Sequence, residues 1–235
     1  MRCRLCGKEY QKLSAEHYPA KSVGNNDLVK IDLQKLLTAG ESVYGKTPEE
    51  MDAYFDNEIV VEEYCNGRTA NTLCRDCNRF LGKYDEDYKK FYYADGAYLV
   101  VKGYQKRTKI NIIKSIYGKF LSIPETKNEI FDFLDFLNDP AKEVYRGKWH
   151  LYFMKRNPQE RLLGLLDYST HKGTYKEGVV YEMCDEKFIF DLMSFEIKDK
   201  SKMNNIFEIL GNYQLAVYDG GFNSYHSNFI CFGQN

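Results

Sequence analysis

Two Cys-x-x-Cys pairs, Cys3/Cys6 and Cys74/Cys77, supply four soft thiolates. An i, i+3 spacing on a tight turn lets both sulfurs of a pair face one ion, and four such donors form the tetrahedral set that zinc prefers. The gap from Cys6 to Cys74 exceeds that of a compact zinc ribbon, so a folded insertion must fill it and bring its two ends together at the metal. A redox dithiol would instead need a thioredoxin-like strand-to-helix setting, which the residues around Cys74 do not display. Four thiolates close the coordination sphere of zinc, so this centre predicts a staple and no catalysis of its own. Chemistry has to come from the neighbours. Glu16-His17 follows the first pair, Asn78 directly follows the last cysteine, Arg75 and Arg79 flank the second pair, and Asp85-Glu86-Asp87 lies beyond.

Cys3-Arg4-Leu5-Cys6-Gly7, then Ser14-Ala15-Glu16-His17-Tyr18-Pro19, then Thr72-Leu73-Cys74-Arg75-Asp76-Cys77-Asn78, with Gly82 beyond, follow one another along the chain. They resemble successive blocks of the HNH endonuclease family, in the subgroup whose ββα-metal (treble-clef) core is braced by two Cys-x-x-Cys knuckles. The resemblance covers roughly the first 95 residues and is silent on the rest. It implies a hairpin and a helix clasping one catalytic divalent ion, Mg²⁺ or Mn²⁺, beside the structural zinc. His17 takes the position of the general base, a task suited to an imidazole with an unperturbed pKa of ~6.5. Glu16 takes that of a hard oxygen ligand to the divalent ion. Asn78 takes that of a brace, bonding from its side chain to the hairpin backbone.

The third position departs from the family pattern, because a histidine or asparagine is expected there and acids stand instead. Asp87 fits if the chain loops at Gly82 before the helix begins. Asp85 fits if the helix is continuous, because seven residues at ~3.6 per turn return it to the face of Asn78. Either carboxylate is a competent ligand. Arg75 and Arg79 are then placed to meet nucleic-acid phosphates, with plain surface solubility as the other reading. The implied reaction is metal-assisted phosphodiester hydrolysis leaving 5′-phosphate and 3′-hydroxyl ends.

The elements that must position these groups follow from patterning. Residues 3–19 read as a short hairpin. Between 25 and 65 lies an insertion with a helix over 27–37, a second helix opened by the capping box Thr47-Pro48-Glu49-Glu50, and a strand over 58–64 rich in β-branched residues. Helices are expected over 78–93, with Gly82 as a point of interruption, over 106–121, and after a second capping box at Thr126-Lys127-Asn128-Glu129. From Gly147 onward the pattern turns to strands, at 148–154, 161–168, 179–184, 187–192, 213–218 and 229–232. The fold class is therefore α+β: a zinc-stapled ββα-metal module over 1–98 with a helical insertion, then a mixed helical and antiparallel-sheet accessory domain over 99–235, with a soft boundary near 95–105.

Composition narrows the partners. With 33 Lys+Arg against 34 Asp+Glu, the net charge of -1 excludes a global basic field, so contact with nucleic acid must be local. Lys102, Lys106, Arg107, Lys109 and Lys114 form one local positive stretch, which a solvated helix face explains equally well. No run of 18 apolar residues occurs and the N-terminus lacks a signal-peptide pattern, which points to a cytoplasmic protein without membrane contact. In that reducing setting seven cysteines read as ligands and buried thiols rather than disulfides. The 20 Tyr and 15 Phe read mainly as core. The expected function is a metal-dependent endonuclease acting on nucleic acid, DNA favoured, in a restriction-like or phage-defence role, with a protein partner or second copy held by the accessory domain. The alternative is a non-catalytic zinc module that binds nucleic acid or protein.

Overall fold

The computed structural model describes residues 1–157, 166–198, 202–218 and 229–233. In chain order the elements are β1 (Ser14–His17), β2 (Leu28–Asp32), α1 (Leu33–Thr38), α2 (Gly40–Val43), α3 (Pro48–Tyr54), β3 (Val60–Tyr64), β4 (Thr69–Leu73), α4 (Arg75–Tyr93), α5 (Tyr98–Lys102), α6 (Lys106–Lys119), α7 (Leu134–Asn138), β5 (His150–Lys155), β6 (Leu166–Asp167), β7 (Thr170–Thr174), β8 (Val179–Cys184), β9 (Phe188–Met193), β10 (Asn204–Asn205) and β11 (Phe229–Gly233). They build a mixed structure of helices and antiparallel sheets.

The two ends of the insertion meet. β1 pairs antiparallel with β4, with Ser14 opposite Leu73 and His17 opposite Thr69, so the segments flanking the long gap become one hairpin-like ladder. Inside the insertion, the helix expected over 27–37 is in fact a strand followed by a helix. Val29 and Ile31 pack beside Ile59 on one side and Leu28 packs beside Tyr168 on the other, so this short apolar run is buried on both faces. Such a run has no periodicity that separates strand from helix. Asp32 then caps α1, its Oδ1 accepting from Lys35 N at 3.1 Å. The box at Thr47 forms as read: Thr47 N donates to Glu50 Oε2 at 2.8 Å and Glu50 N to Thr47 Oγ1 at 3.3 Å. β2 and β3 join β11 and β6 in a sheet of order β3-β2-β11-β6.

α4 is continuous through Gly82, whose surroundings leave open space for a side chain. Leu81, Tyr84, Tyr88 and Phe91 recur at helical spacing and form its buried stripe. That stripe packs on α6 and on the second sheet, of order β10-β5-β9-β8-β7, with Phe91 5.0 Å from Phe188 and 5.9 Å from Phe153. The apolar core therefore runs from Leu5 and Leu81 through Ile116 to Phe190, and it does not divide near residues 95–105.

Two further expectations change. The second capping box does not open a helix: the Thr126 hydroxyl accepts from Arg4 Nη1 at 2.9 Å and lies 2.7 Å from the Phe120 carbonyl, and the next helical turns begin only at Leu134. Phe131 and Phe133 stack at 4.5 Å in the stretch between. Residues 213–218 make one isolated bridge, Lys155 to Val217, rather than a strand. Most of the strand expected at 161–168 lies outside the described residues. β7 and β10, which carry little apolar sequence, are edge strands of their sheet.

Candidate functional site

The four paired cysteines come together, each Sγ within 4.8 Å of the others. Cys3 and Cys6 sit on a tight turn, closed by Gly7 N donating to Cys3 O at 2.9 Å with Gly7 at φ +71°. Cys74 stands at the junction of β4 and α4, and its amide points at Cys3 Sγ, 3.2 Å away. This is a strand-to-helix junction, yet four sulfurs converge on it rather than two, which is a ligand set and not a dithiol pair. A zinc ion with bonds near 2.3 Å makes sulfur–sulfur edges of about 3.8 Å, so the envelope fits. The thiols are electrostatically unequal as they stand. Burial opposes ionisation of Cys74, but hydrogen bonds from the Tyr10 hydroxyl and the Cys77 amide bring it down to about 6. Burial and the neighbouring sulfurs push Cys77 far up. A bound cation removes that conflict, because it stabilises all four as thiolates.

His17 ends β1, half-buried, with Nε2 3.0 Å from the Asn66 carbonyl. A carbonyl only accepts, so the proton is fixed on Nε2 and the lone pair lies on Nδ1. The Asn66 carbonyl is itself held. Gly67 adopts φ +78° and donates to Tyr64 O at 2.8 Å, and a Cβ there would overlap the Asn25 backbone oxygen. Buried Asn25 donates from Nδ2 to Pro19 O at 2.7 Å and to Arg68 O at 3.0 Å, and its Oδ1 accepts from Arg68 N at 2.6 Å. Both segments leaving the hairpin are thus tied to one side chain. The Arg68 guanidinium then reaches Tyr168 O and Thr170 Oγ1, fastening the hairpin to β7. Asn78 donates from Nδ2 to Ala15 O at 2.8 Å and to Ser14 Oγ at 3.1 Å, which ties the first turn of α4 to β1. Burial, then the charges of Lys119 and Lys21, keep His17 below its ordinary pKa against the opposing pull of the Asn66 bond. The ring is therefore neutral near pH 7.

Glu16 points to the other side of β1 and is 4% exposed. Because α4 does not break at Gly82, Asp85 returns to the face of Asn78 and meets it, as continuous helical geometry requires. What joins them is a lysine. Lys119 Nζ, at the end of α6, contacts Glu16 Oε1 and lies 2.6 Å from Asp85 Oδ2, while Ser115 Oγ donates to Asp85 Oδ1 at 2.7 Å. Burial works against the ammonium, but the two carboxylates outweigh it and hold its pKa above the ordinary value. Glu16 is displaced upward by burial, with Lys119 pulling the other way. The expectation of Mg²⁺ or Mn²⁺ between these acids does not fit. The seat already holds a cation, and a doubly charged ion ~4 Å from the ammonium would meet about 8 kcal/mol of repulsion at an effective dielectric constant of ~20.

Asp87 is not brought to this cluster; its oxygens go to Lys90 at 2.6 Å and Asn111 at 2.7 Å. No protein-family model, curated protein or solved structure matches this chain. Arg75 and Arg79 stand exposed, one turn apart, on the outer face of α4. The basic stretch on α6 is largely consumed inside the molecule: Lys106 pairs with Glu143, Arg107 donates to Pro140 O, Lys109 reaches Lys102 O and buried Lys114 donates to Asp139 O. A cleft of about 480 Å³ borders β4, lined by Arg2, Tyr18, Thr69, Asn71 and Lys127 among others, and Thr69 is the residue opposite His17. No helix among the described residues is long and apolar enough to cross a membrane. Lys119 and Asn25 carry no signal in the sequence, and Asn66-Gly67 marks no more than a turn after the strand.

Proposed function

We propose that the stapled hairpin and α4 form a nucleic-acid phosphodiesterase centre of HNH-like design, with zinc in the four-cysteine cluster and His17 as the general base. The observation that carries this is the tautomer lock on His17. A hydrogen-bonded carbonyl pins Nε2–H, Nδ1 keeps its lone pair, and burial, aided by the charges of Lys119 and Lys21, favours the neutral ring. Asn78 and the four cysteines act as supports that keep the ring in place, as carbonyl-oriented histidines require. Arg75 and Arg79 are the basic side chains available for phosphate beside the knuckle.

A second reading, a zinc module that binds nucleic acid or protein without cutting it, is favoured by the clamp that consumes both carboxylates. Cleavage assays on zinc-loaded protein with plasmid and with a labelled transcript separate the two. Under the hydrolytic reading His17→Ala lowers the rate by about 10²–10⁴ while zinc content and Tm stay unchanged. Equal rates for wild type and variant remove His17 from the chemistry, and binding without any cleavage selects the second reading.

A further inference from the structure

We propose that the Lys119 ammonium fills the seat a divalent ion would take, and that this centre therefore cleaves RNA through the substrate's own 2′-hydroxyl without a divalent ion. The inference rests on the reading of His17 as a base. The ammonium stands between Glu16 and Asp85, the remaining Asp85 oxygen is taken by Ser115, and all three charged side chains are largely withdrawn from water. A mobile hard ion has no seat there. That matters for the nucleophile, since a catalytic metal both acidifies the water it binds and stabilises charge developing at the phosphate. A neutral imidazole alone is a poor match for unactivated water. A vicinal hydroxyl on the substrate is different, because intramolecular attack brings effective molarities of about 10⁵–10⁸ M.

The step balances with the groups present. The 2′-hydroxyl gives its proton to Nδ1 of His17, its oxygen bonds to phosphorus, the bond from phosphorus to O5′ breaks, and the leaving oxygen takes a proton from solvent. Products are a 2′,3′-cyclic phosphate and a 5′-hydroxyl. Lys21, exposed four residues beyond His17 and near enough for its charge to act on the ring, is a cation for the non-bridging oxygens. DNA lacks the nucleophile.

The test uses zinc-loaded full-length protein freed of other metals. Mn²⁺ titration followed by electron paramagnetic resonance should show no site at this seat tighter than about 1 mM. In divalent-free buffer a transcript should be cut to 2′,3′-cyclic phosphate ends, and an oligonucleotide with 2′-deoxyribose at the cut position should survive. Bound Mn²⁺ that disappears in Glu16→Gln overturns the proposal, as does cleavage that needs Mg²⁺ or proceeds equally on DNA; either leaves the base reading of His17 standing. Failure to cut RNA or DNA with or without divalent ions defeats both.

Discussion

Replacing Lys119 with methionine keeps the bulk of the side chain and deletes its charge, leaving Glu16 and Asp85 facing each other. Their side chains are only 5% and 18% exposed, so water does little to screen the loss. Breaking a buried pair in this way costs about 3–5 kcal/mol, and in a chain of this size each kcal/mol moves Tm by about 2–4 °C. A fall of about 6–20 °C follows. Its pH dependence is diagnostic. In wild type the folded pKa of Lys119 lies above 10.5, so its contribution is complete below that value and fades only at extreme alkaline pH. In the variant the Glu16 carboxyl, already above its ordinary 4.5, loses the ammonium that pulled it down. The folded state then holds a proton that the unfolded chain has released, and stability declines as pH rises from about 4.5. Urea denaturation followed by circular dichroism at pH 5 and pH 8 should show the larger deficit at pH 8. A deficit under about 1 kcal/mol there, or one equal at both pH values, refutes the clamp.

Other perturbations probe the supports. Asn78→Ala removes the bonds to Ser14 and Ala15 and should cost about 1–2 kcal/mol by urea denaturation, with cleavage falling while zinc content holds. Gly67→Ala forces a side chain into a left-handed residue against the Asn25 backbone, so it should destabilise by about 1–3 kcal/mol and displace the His17 ring resonances in NMR spectra. His17 itself should titrate below 6.5 by NMR, so kcat/KM should reach half of its plateau value below that pH. Because the unfolded chain binds that proton more readily, the same shift costs stability as pH falls below 6.5. Stripping the metal with a thiol-competing chelator should lower Tm and expose four reactive thiols; unchanged melting after full zinc loss would show that the cluster is no staple.

The cysteine pairs were legible because a ligand set is a matter of residue type and spacing, both of which a sequence displays. Helix α3 was legible for a similar reason: Thr47, Pro48 and Glu50 are local signals that act within one turn. Asp85 followed from helical arithmetic once Gly82 was not treated as a break. What stayed hidden was long-range. Leu28 to Ile31 became a strand because Ile59 and Tyr168 cover its two faces, and neither is a neighbour in sequence. Thr126 lost its capping role because Arg4, far away in the chain, claimed its hydroxyl. Lys119 was one lysine among many at the end of an amphipathic helix, and only the packing of α6 on α4 placed it between two acids. The metal expected at that seat came from the resemblance, and the resemblance contained no information about α6.

X-ray absorption at the zinc edge, on protein purified without added metal, reads the stapled hairpin most directly. One zinc per chain with four sulfur neighbours at about 2.3 Å is the expected result. Absence of zinc, or a first shell containing nitrogen or oxygen, would mean that Cys3, Cys6, Cys74 and Cys77 do not share one ion, and the placement of His17 by a sulfur-bound staple would be contradicted.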